Sequence, residues 1–332
     1  MATHCKTMIL SPKPWNRPFF NDPAKTRWVY VAACVLVSLK IMFLETCDNY
    51  DCFQASHFHL VKQWDLYLMF PAEHHTEYNY SPFFAWLMGA FAYLPNKLGI
   101  LVWNLFNLFP FLLAVRWLPL DKTQQNFLYW FCLIEYITAA ENVQTNATVA
   151  ACIMLVVVYQ MAGSTSRAAF FLVAGAFFKI YVLTAGVFFL LYPKRGRFFL
   201  QALGWALLFF AAPLTLVSLD QLLFLYSSWF QRLQLQTVRD SLSLTGLVER
   251  AQVPGFGQGA TILLGLATVL LPLFFPSLYQ QRKKQLQYLA LVLMFTVVFN
   301  PGVESPSYII ALPGVALWYV LSEKNRGQFW LL

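Results

Sequence analysis

The chain has 332 residues, of which 59% are hydrophobic, 18% aromatic and only 11% charged. Average soluble domains carry roughly 25% charged residues, so this composition excludes a soluble enzyme, a fibrous protein and a disordered chain. The net charge of +8 comes from basic residues that flank apolar runs. This distribution is typical of the cytoplasmic side of a membrane protein and argues against nucleic-acid binding.

Ten apolar runs follow one another along the chain, each long enough or nearly so to cross about 30 Å of hydrocarbon. They predict an all-α, polytopic integral membrane protein that forms a single domain over residues 1–332. The runs are 28–44, 81–95, 99–116, 126–140, 146–162, 168–192, 198–218, 260–279, 286–300 and 307–322.

Basic residues decide the orientation. They are frequent in the N-terminal segment 1–27, which we therefore place in the cytoplasm. With ten crossings, the loops 45–80, 219–258 and 301–306 face outward together. The other basic clusters then share the cytoplasmic side, and they comprise Lys194, Arg195, Arg197, Arg282, Lys283, Lys284, Lys324 and Arg326.

The first outward loop, 45–80, holds six of the 15 acidic residues and four of the five histidines. Its segment 52–67 has large apolar side chains at helical spacing, which predicts a helix lying along the membrane interface. A plain solvated loop is the alternative. The histidines are adjacent or two residues apart, and no second cluster completes a ligand set, so we expect no metal.

The run 168–192 admits two arrangements because Lys179 lies at its middle. It is either one tilted span or two short helices that meet at this lysine. The second arrangement makes 81–95 re-entrant and turns Gln144 and Asn146 outward. We expect the first arrangement.

Several short motifs resemble glycosyltransferase family 87, over about residues 28–320. They are Asp48-Asn-Tyr-Asp-Cys-Phe53, Asp65-Leu-Tyr67, Tyr78-Asn-Tyr-Ser-Pro82, Tyr93-Leu-Pro95, Trp103-Asn104, Gln144-Thr-Asn146, Phe178-Lys179, Ser241-Leu-Ser-Leu-Thr-Gly246 and Glu304-Ser-Pro-Ser-Tyr308. The resemblance implies an integral-membrane enzyme of the GT-C class that uses a polyprenyl-phosphate sugar, typically polyprenyl-phosphomannose. It implies a lipid or glycan acceptor. We expect the protein in a bacterial inner membrane, with the active site on the outward side.

The resemblance also implies a catalytic aspartate soon after the first span, usually four residues before an aromatic. The residue four before Phe53 is Asn49, whose amide is not a useful proton acceptor. Asp48 and Asp51 are therefore the candidate bases for an inverting transfer, and we assign Asn49 to substrate binding. The alternative role of Asp48 is a helix cap.

Lys179 is the candidate contact to the donor phosphate. A charge at the bilayer centre costs at least about 2.5–3.5 kcal/mol. The lysine therefore either binds an anion such as the donor phosphate, or it is paired within the protein or snorkels to the interface. Gln144 and Asn146 either form hydrogen bonds with sugar hydroxyls or pair with free backbone groups at the ends of helices. Glu304 binds hydroxyls or belongs to a plain turn. The other predicted substrate-binding residues are His57, Asp65, Glu77, Tyr78, Tyr80 and Arg239.

The sequence has no Gly-x-x-x-x-Gly-Lys motif and no soluble Rossmann unit, so we expect no nucleotide cofactor. A lipid-linked donor agrees with this, and the other expected partners are membrane lipids. A transporter or flippase for lipid-linked sugars would use the same pocket without a base. A family member that binds without reacting is a further alternative, raised by Asn49.

Overall fold

The computed structural model describes residues 21–45, 47–235, 241–252 and 256–322. Arg239, the first 20 residues of the basic N-terminal segment, and the tail residues Lys324 and Arg326 lie outside these ranges. The described residues form helices and no strand, so the predicted all-α class is confirmed.

Fifteen α-helices occur in the described ranges, joined in four places by 3₁₀ turns or segments. The 3₁₀ elements are Ile180–Leu191, Ala212–Thr215, Leu271–Phe274 and Ser305–Ser307. The α-helices are α1 (Pro23–Leu44), α2 (Asp48–Val61), α3 (Pro82–Leu87), α4 (Gly89–Ala92), α5 (Asn96–Trp117), α6 (Lys122–Glu141), α7 (Asn146–Met161), α8 (Thr165–Phe178), α9 (Arg195–Ala211), α10 (Leu219–Gln234), α11 (Leu244–Ala251), α12 (Gln258–Leu270), α13 (Pro276–Gln280), α14 (Arg282–Val298) and α15 (Tyr308–Leu321).

Within the described ranges, three helical stretches are both long and apolar enough to cross a bilayer: Pro23–Leu44, Asn96–Trp117 and Arg195–Thr215. A helix of 22 residues spans about 33 Å at 1.5 Å per residue, which matches the hydrocarbon thickness. The remaining apolar helices in these ranges are shorter. The protein is thus a helical membrane protein.

Helix α7 forms the centre of the bundle, where it packs against α5, α8 and α15. Every residue from Asn146 to Val157 is buried. An all-round apolar helix of this kind is stable only when other helices surround it. Its alanines allow those neighbours to approach closely. The polar first turn of α7 is therefore fixed in position by the core.

The run 81–95 does not form one helix long enough for the expected crossing. It folds into α3 and α4, which lie along α2: Gln54 Nε2 donates to the carbonyls of Ala92 (2.7 Å) and Leu94 (3.3 Å), and His57 Nδ1 contacts the Ala85 carbonyl at 3.1 Å. Eleven helical residues rise about 16 Å, roughly half the hydrocarbon thickness. The short length of this segment and its packing on α2 agree with the alternative arrangement, in which it does not cross the bilayer.

The run 168–192 is also not one continuous span. Helix α8 ends at Phe178, Lys179 is extended (φ −145°, ψ 118°), and the 3₁₀ segment Ile180–Leu191 follows. The lysine side chain turns toward the first turn of α7 and bonds to Asn146. The expectation of a single tilted span is wrong, and the two-helix alternative describes the chain here.

Candidate active site

A cavity of about 400 Å³ lies where α2, the break at Lys179, α10 and the turn 300–304 meet. Residues between α6 and α7 and on α14 complete its walls. Its polar lining comprises Asn49, Thr76, Glu77, Asn79, Tyr80, Gln144, Lys179, Tyr181, Thr184, Thr296, Asn300 and Glu304. Its apolar lining includes Phe53, Phe178, Ile180, Trp229, Leu233, Ile262, Phe295 and Phe299.

Lys179 places a positive charge in the wall of this cavity. Its Nζ donates to Asn146 Oδ1 at 2.8 Å and lies 5.9 Å from the ring centres of Tyr80 and Tyr181. No carboxylate of the described residues approaches this ammonium within 4.0 Å. A partly buried ammonium with a neutral partner and unused donors is suited to bind an anion.

The turn between α6 and α7 positions two of the predicted residues, Gln144 and Asn146. Val143 adopts φ +52°, a conformation that is rare for a β-branched residue and costs about 1–3 kcal/mol. Gln144 follows it, lines the cavity, and accepts a bond from Tyr80 Oη at 3.2 Å. Asn146 is fully buried behind it and holds Lys179. Gln144 is thus placed to contact a ligand, whereas Asn146 orients the lysine.

Glu77 lines the cavity in an ion pair with Arg232 of α10. The same guanidinium donates from Nε to Asn79 Oδ1 at 3.0 Å, and the indole of Trp229 donates to the Asn79 carbonyl at 3.2 Å. These contacts attach α10 to the segment 76–80 over the cavity.

Glu304 is the second carboxylate of the lining. It begins the 3₁₀ turn Ser305–Ser307, where its side chain accepts the backbone N–H of Ser307 and its own N–H donates to Ser307 Oγ at 3.3 Å. The preceding carbonyl, of Val303, accepts from the Leu242 N–H at 2.8 Å. The turn is therefore fixed by contacts on both sides.

The two predicted bases do not line the cavity. Asp48 accepts from the His75 N–H at 2.7 Å and from Thr76 Oγ1, and Asp51 accepts from Asn96 Nδ2 at 2.5 Å. The residue of α2 that reaches the cavity is Asn49, whose Nδ2 donates to the Asn142 carbonyl at 2.9 Å. In this conformation both aspartates organise loops around the site.

The pKa of Asp48 is lowered from its ordinary value: burial raises it, but the hydrogen bonds from Thr76 and His75 outweigh that effect. A carboxylate whose pKa falls on folding stabilises the protein above its unfolded pKa of about 3.9 and loses that effect as pH drops through the folded pKa. We therefore expect Asp48→Asn to cost about 1 kcal/mol at pH 7 and to lose less stability in acid than wild type. Thermal unfolding in detergent between pH 7 and pH 3 measures both effects; equal acid losses in the two proteins would contradict the assignment.

Three other predicted residues have structural partners away from the cavity lining. His57 is buried, and its Nδ1 contacts the Ala85 carbonyl. Asp65 accepts from the Tyr67 N–H at 3.1 Å. Tyr78 is buried and donates to the Ser81 carbonyl at 3.0 Å. Glu77, Tyr80 and Glu304, by contrast, line the cavity.

Sequence reasoning missed Thr76, Asn79 and Asn300, all of which line the cavity. Asn79 lies inside the Tyr78-Asn-Tyr80 motif, from which only the two tyrosines were predicted to bind substrate. Thr76 and Asn300 gave no signal, since short polar side chains are common in loops. In the part of the chain that the structure describes, no group of three or more His, Cys, Asp or Glu residues is arranged to hold a metal ion.

Fold and site together define a helical membrane protein whose cavity combines an ammonium group, carboxylates and hydrogen-bonding side chains. Residues 78–301, about two thirds of the chain, match the family model of glycosyltransferase family 87. The chain belongs to this family, and its membership supports a glycosyltransferase activity. No curated protein and no solved structure matches the chain.

Proposed function

We propose that the protein transfers a hexose, with mannose the first candidate, from a polyprenyl-phosphate donor to a lipid or glycan acceptor on the non-cytoplasmic face of the membrane. The observation that carries the proposal is Lys179, a cation without an ion-pair partner among the described residues, in the wall of a cavity of a family 87 chain. A donor of this kind keeps its hydrocarbon in the bilayer and brings an anionic phosphate and a sugar to the cavity.

The proposed membrane arrangement has ten crossings, with the cavity at the outward end. Asn96, at the start of α5, contacts Asp51 of α2, whereas Arg116 lies at the opposite end of α5. Arg116 and Lys122 then face the cytoplasm and Lys97 faces outward, so the larger number of basic residues lies on the cytoplasmic side, as the charge rule requires. The crossings are α1, α5, α6, α7, α8, the segment Ile180–Leu191, α9, α12, α14 and α15. A bacterial inner membrane is the proposed location.

Helix α10 fits a position at the outward interface. Its buried side carries Trp229, whereas Leu219, Leu223, Phe224 and Phe230 are exposed. An amphipathic helix with exposed apolar side chains is typical of the headgroup region. There it would cover the cavity and bound the entry of a lipid-linked donor.

In the proposed reaction, the acceptor oxygen attacks the anomeric carbon while the bond to the phosphate oxygen breaks, and the configuration inverts. Positive charge develops on the sugar ring, as in glycoside hydrolysis. Lys179 stabilises the departing phosphate, because charge-assisted hydrogen bonds to phosphate are the stronger kind. Tyr80 and Gln144 orient the sugar hydroxyls, and Arg239 is a further candidate for the phosphate. A carboxylate takes the acceptor proton.

The test uses purified protein in vesicles made from bacterial lipid extract, with polyprenyl-phosphomannose and polyprenyl-phosphoglucose labelled in the sugar. We expect the label to move to a new lipid or glycan product, with polyprenyl phosphate released. Label that crosses the bilayer on an unchanged donor would instead indicate a flippase. Binding of the donor without movement or product would indicate a non-catalytic family member.

A further inference from the structure

We propose that Glu304 is the base that accepts the proton of the acceptor hydroxyl. This assignment rests on the proposed glycosyltransferase function and names a residue that it leaves open. Only two carboxylates of the described residues line the cavity, Glu77 and Glu304. Since a general base must come within hydrogen-bond reach of the proton it takes, the choice begins with these two.

Glu77 is poorly suited to that role because Arg232 occupies its carboxylate in an ion pair. A neighbouring guanidinium stabilises the anion and so weakens it as a base. If the Glu77 carboxylate took up a proton, the ion pair with Arg232 would be lost. Helix α10 would then be held less firmly, because contacts of Arg232 and Trp229 attach it to the segment 76–80. Glu77 is therefore a structural part of the cavity wall.

Asp48 and Asp51 are engaged elsewhere. The two oxygens of Asp48 accept bonds from residues 75 and 76, and Asp51 accepts from the amide of Asn96. Neither residue belongs to the cavity lining. Asn49 does, but its amide cannot take up a proton at neutral pH.

Glu304 meets the requirements that the others fail. It lines the cavity, and within the described part of the chain no cation forms an ion pair with it. One backbone N–H, of Ser307, fixes its carboxylate, which leaves acceptor capacity for a hydroxyl. The turn 300–304 that carries it is held by Ser307 Oγ and by the Leu242 N–H.

Its position relative to Lys179 suits the reaction. The two charges interact electrostatically and line the same cavity, yet they do not form an ion pair within 4.0 Å. A phosphate bound to the ammonium and an acceptor hydroxyl bound to the carboxylate would therefore share one cavity. Had the two groups been paired, each would have neutralised the other.

An electron pair of the acceptor oxygen forms the bond to the anomeric carbon while the hydroxyl proton passes to a Glu304 oxygen. The bond between the anomeric carbon and the phosphate oxygen breaks with its electron pair on the phosphate, which leaves as polyprenyl phosphate beside Lys179. The proton on Glu304 then passes to water or to the released phosphate.

The deciding variant is Glu304→Gln, which keeps an oxygen for the Ser307 N–H but cannot accept a proton. We expect it to lower the transfer rate about 10²- to 10⁴-fold while polyprenyl phosphate, used as a binding probe, still binds with wild-type affinity. Glu304→Asp should retain measurable transfer. Glu249→Gln is the matched control, since it removes a carboxylate of α11 that does not line the cavity, and should transfer at the wild-type rate.

Glu304→Ala with added formate separates proton transfer from a structural role. Formate supplies a small carboxylate in the space left by the side chain, so it should raise the transfer rate of this variant and leave that of wild type unchanged. If Glu304→Ala still binds polyprenyl phosphate but formate restores nothing, the residue only positions the turn and the proposal fails.

The outcomes also distinguish this proposal from the one on which it rests. Wild-type protein that transfers no sugar from any donor overturns both. Wild-type transfer combined with full activity of Glu304→Gln overturns the assignment alone, and the same screen of Asp48→Asn, Asp51→Asn and Glu77→Gln then identifies the base. Loss of transfer confined to the Glu304 variants supports it.

Discussion

Replacing Lys179 by methionine should lower the transfer rate about 10²- to 10³-fold, the usual cost of removing one donor that stabilises a developing anion. The same change should leave the thermal unfolding midpoint unchanged or higher. Lys179 is partly buried, and its described hydrogen-bond partner is the neutral amide of Asn146, so methionine removes a charge that is costly to bury. Opposite effects on activity and stability are typical of a residue kept for function.

Steady-state transfer with labelled donor and binding of polyprenyl phosphate measure the functional part of this prediction. Lys179→Arg keeps the charge but changes its geometry, so it should recover part of the rate. Lys97→Met is the control, because Lys97 is an exposed lysine of α5 near Phe43 and outside the cavity lining. Full activity of Lys179→Met would exclude the lysine from the phosphate site.

The helical class and several elements could be predicted from hydropathy alone. The runs 28–44 and 99–116 lie within α1 and α5, and 146–162 matches α7. Such runs exclude water from the backbone, so a helix is the structure that satisfies every N–H and C=O group within the segment. This argument holds whether lipid or protein surrounds the helix, which is why it succeeded for the buried α7 as well.

Hydropathy does not distinguish a helix covered by lipid from one covered by protein, and this explains the error at 81–95. An apolar run gives no sign of whether lipid or another helix covers it. Here α4 packs against α2 so closely that a Cβ on Gly89 would lie 2.6 Å from the His57 ring. That contact joins residues 32 positions apart and leaves no periodic signal in either segment. Only the alternative arrangement, drawn from the position of Lys179, anticipated it.

The site was predictable where a polar residue interrupts an apolar run, because such a residue needs a reason to be there. Lys179 was found in this way, and it lines the cavity. Gln144 lies between two apolar runs and was found through the motif Gln144-Thr-Asn146, and it lines the cavity too. The acidic loop was harder. Successive residues of a helix point in different directions, so the sequence could not show that Asn49 faces the cavity while Asp48 faces residues 75 and 76. That distinction depends on the rotation of α2, which its packing decides.

Replacing Gly314 by leucine should destabilise the protein by about 3 kcal/mol or more, because overpacking a closed interface forces backbone to move. Gly314 lies where α15 packs on α14, and a Cβ there would be 2.6 Å from the Ala290 carbonyl oxygen and 3.0 Å from Leu293 Cβ. Small residues let membrane helices approach in this way. Since these two helices flank the turn that carries Glu304, transfer should fall together with stability.

The matched control for that substitution is Gly204→Leu in α9, where nothing lies within 4 Å of an added Cβ. Both substitutions gain the same helix propensity, about 0.8–1.0 kcal/mol over glycine, so the difference between them isolates the packing of α14 on α15. Thermal unfolding in detergent and the yield of monodisperse protein provide the measurement. If the two leucine variants unfold at the same temperature, α15 does not pack against α14 as closely as described, and the turn 300–304 loses the support on which the position of Glu304 depends.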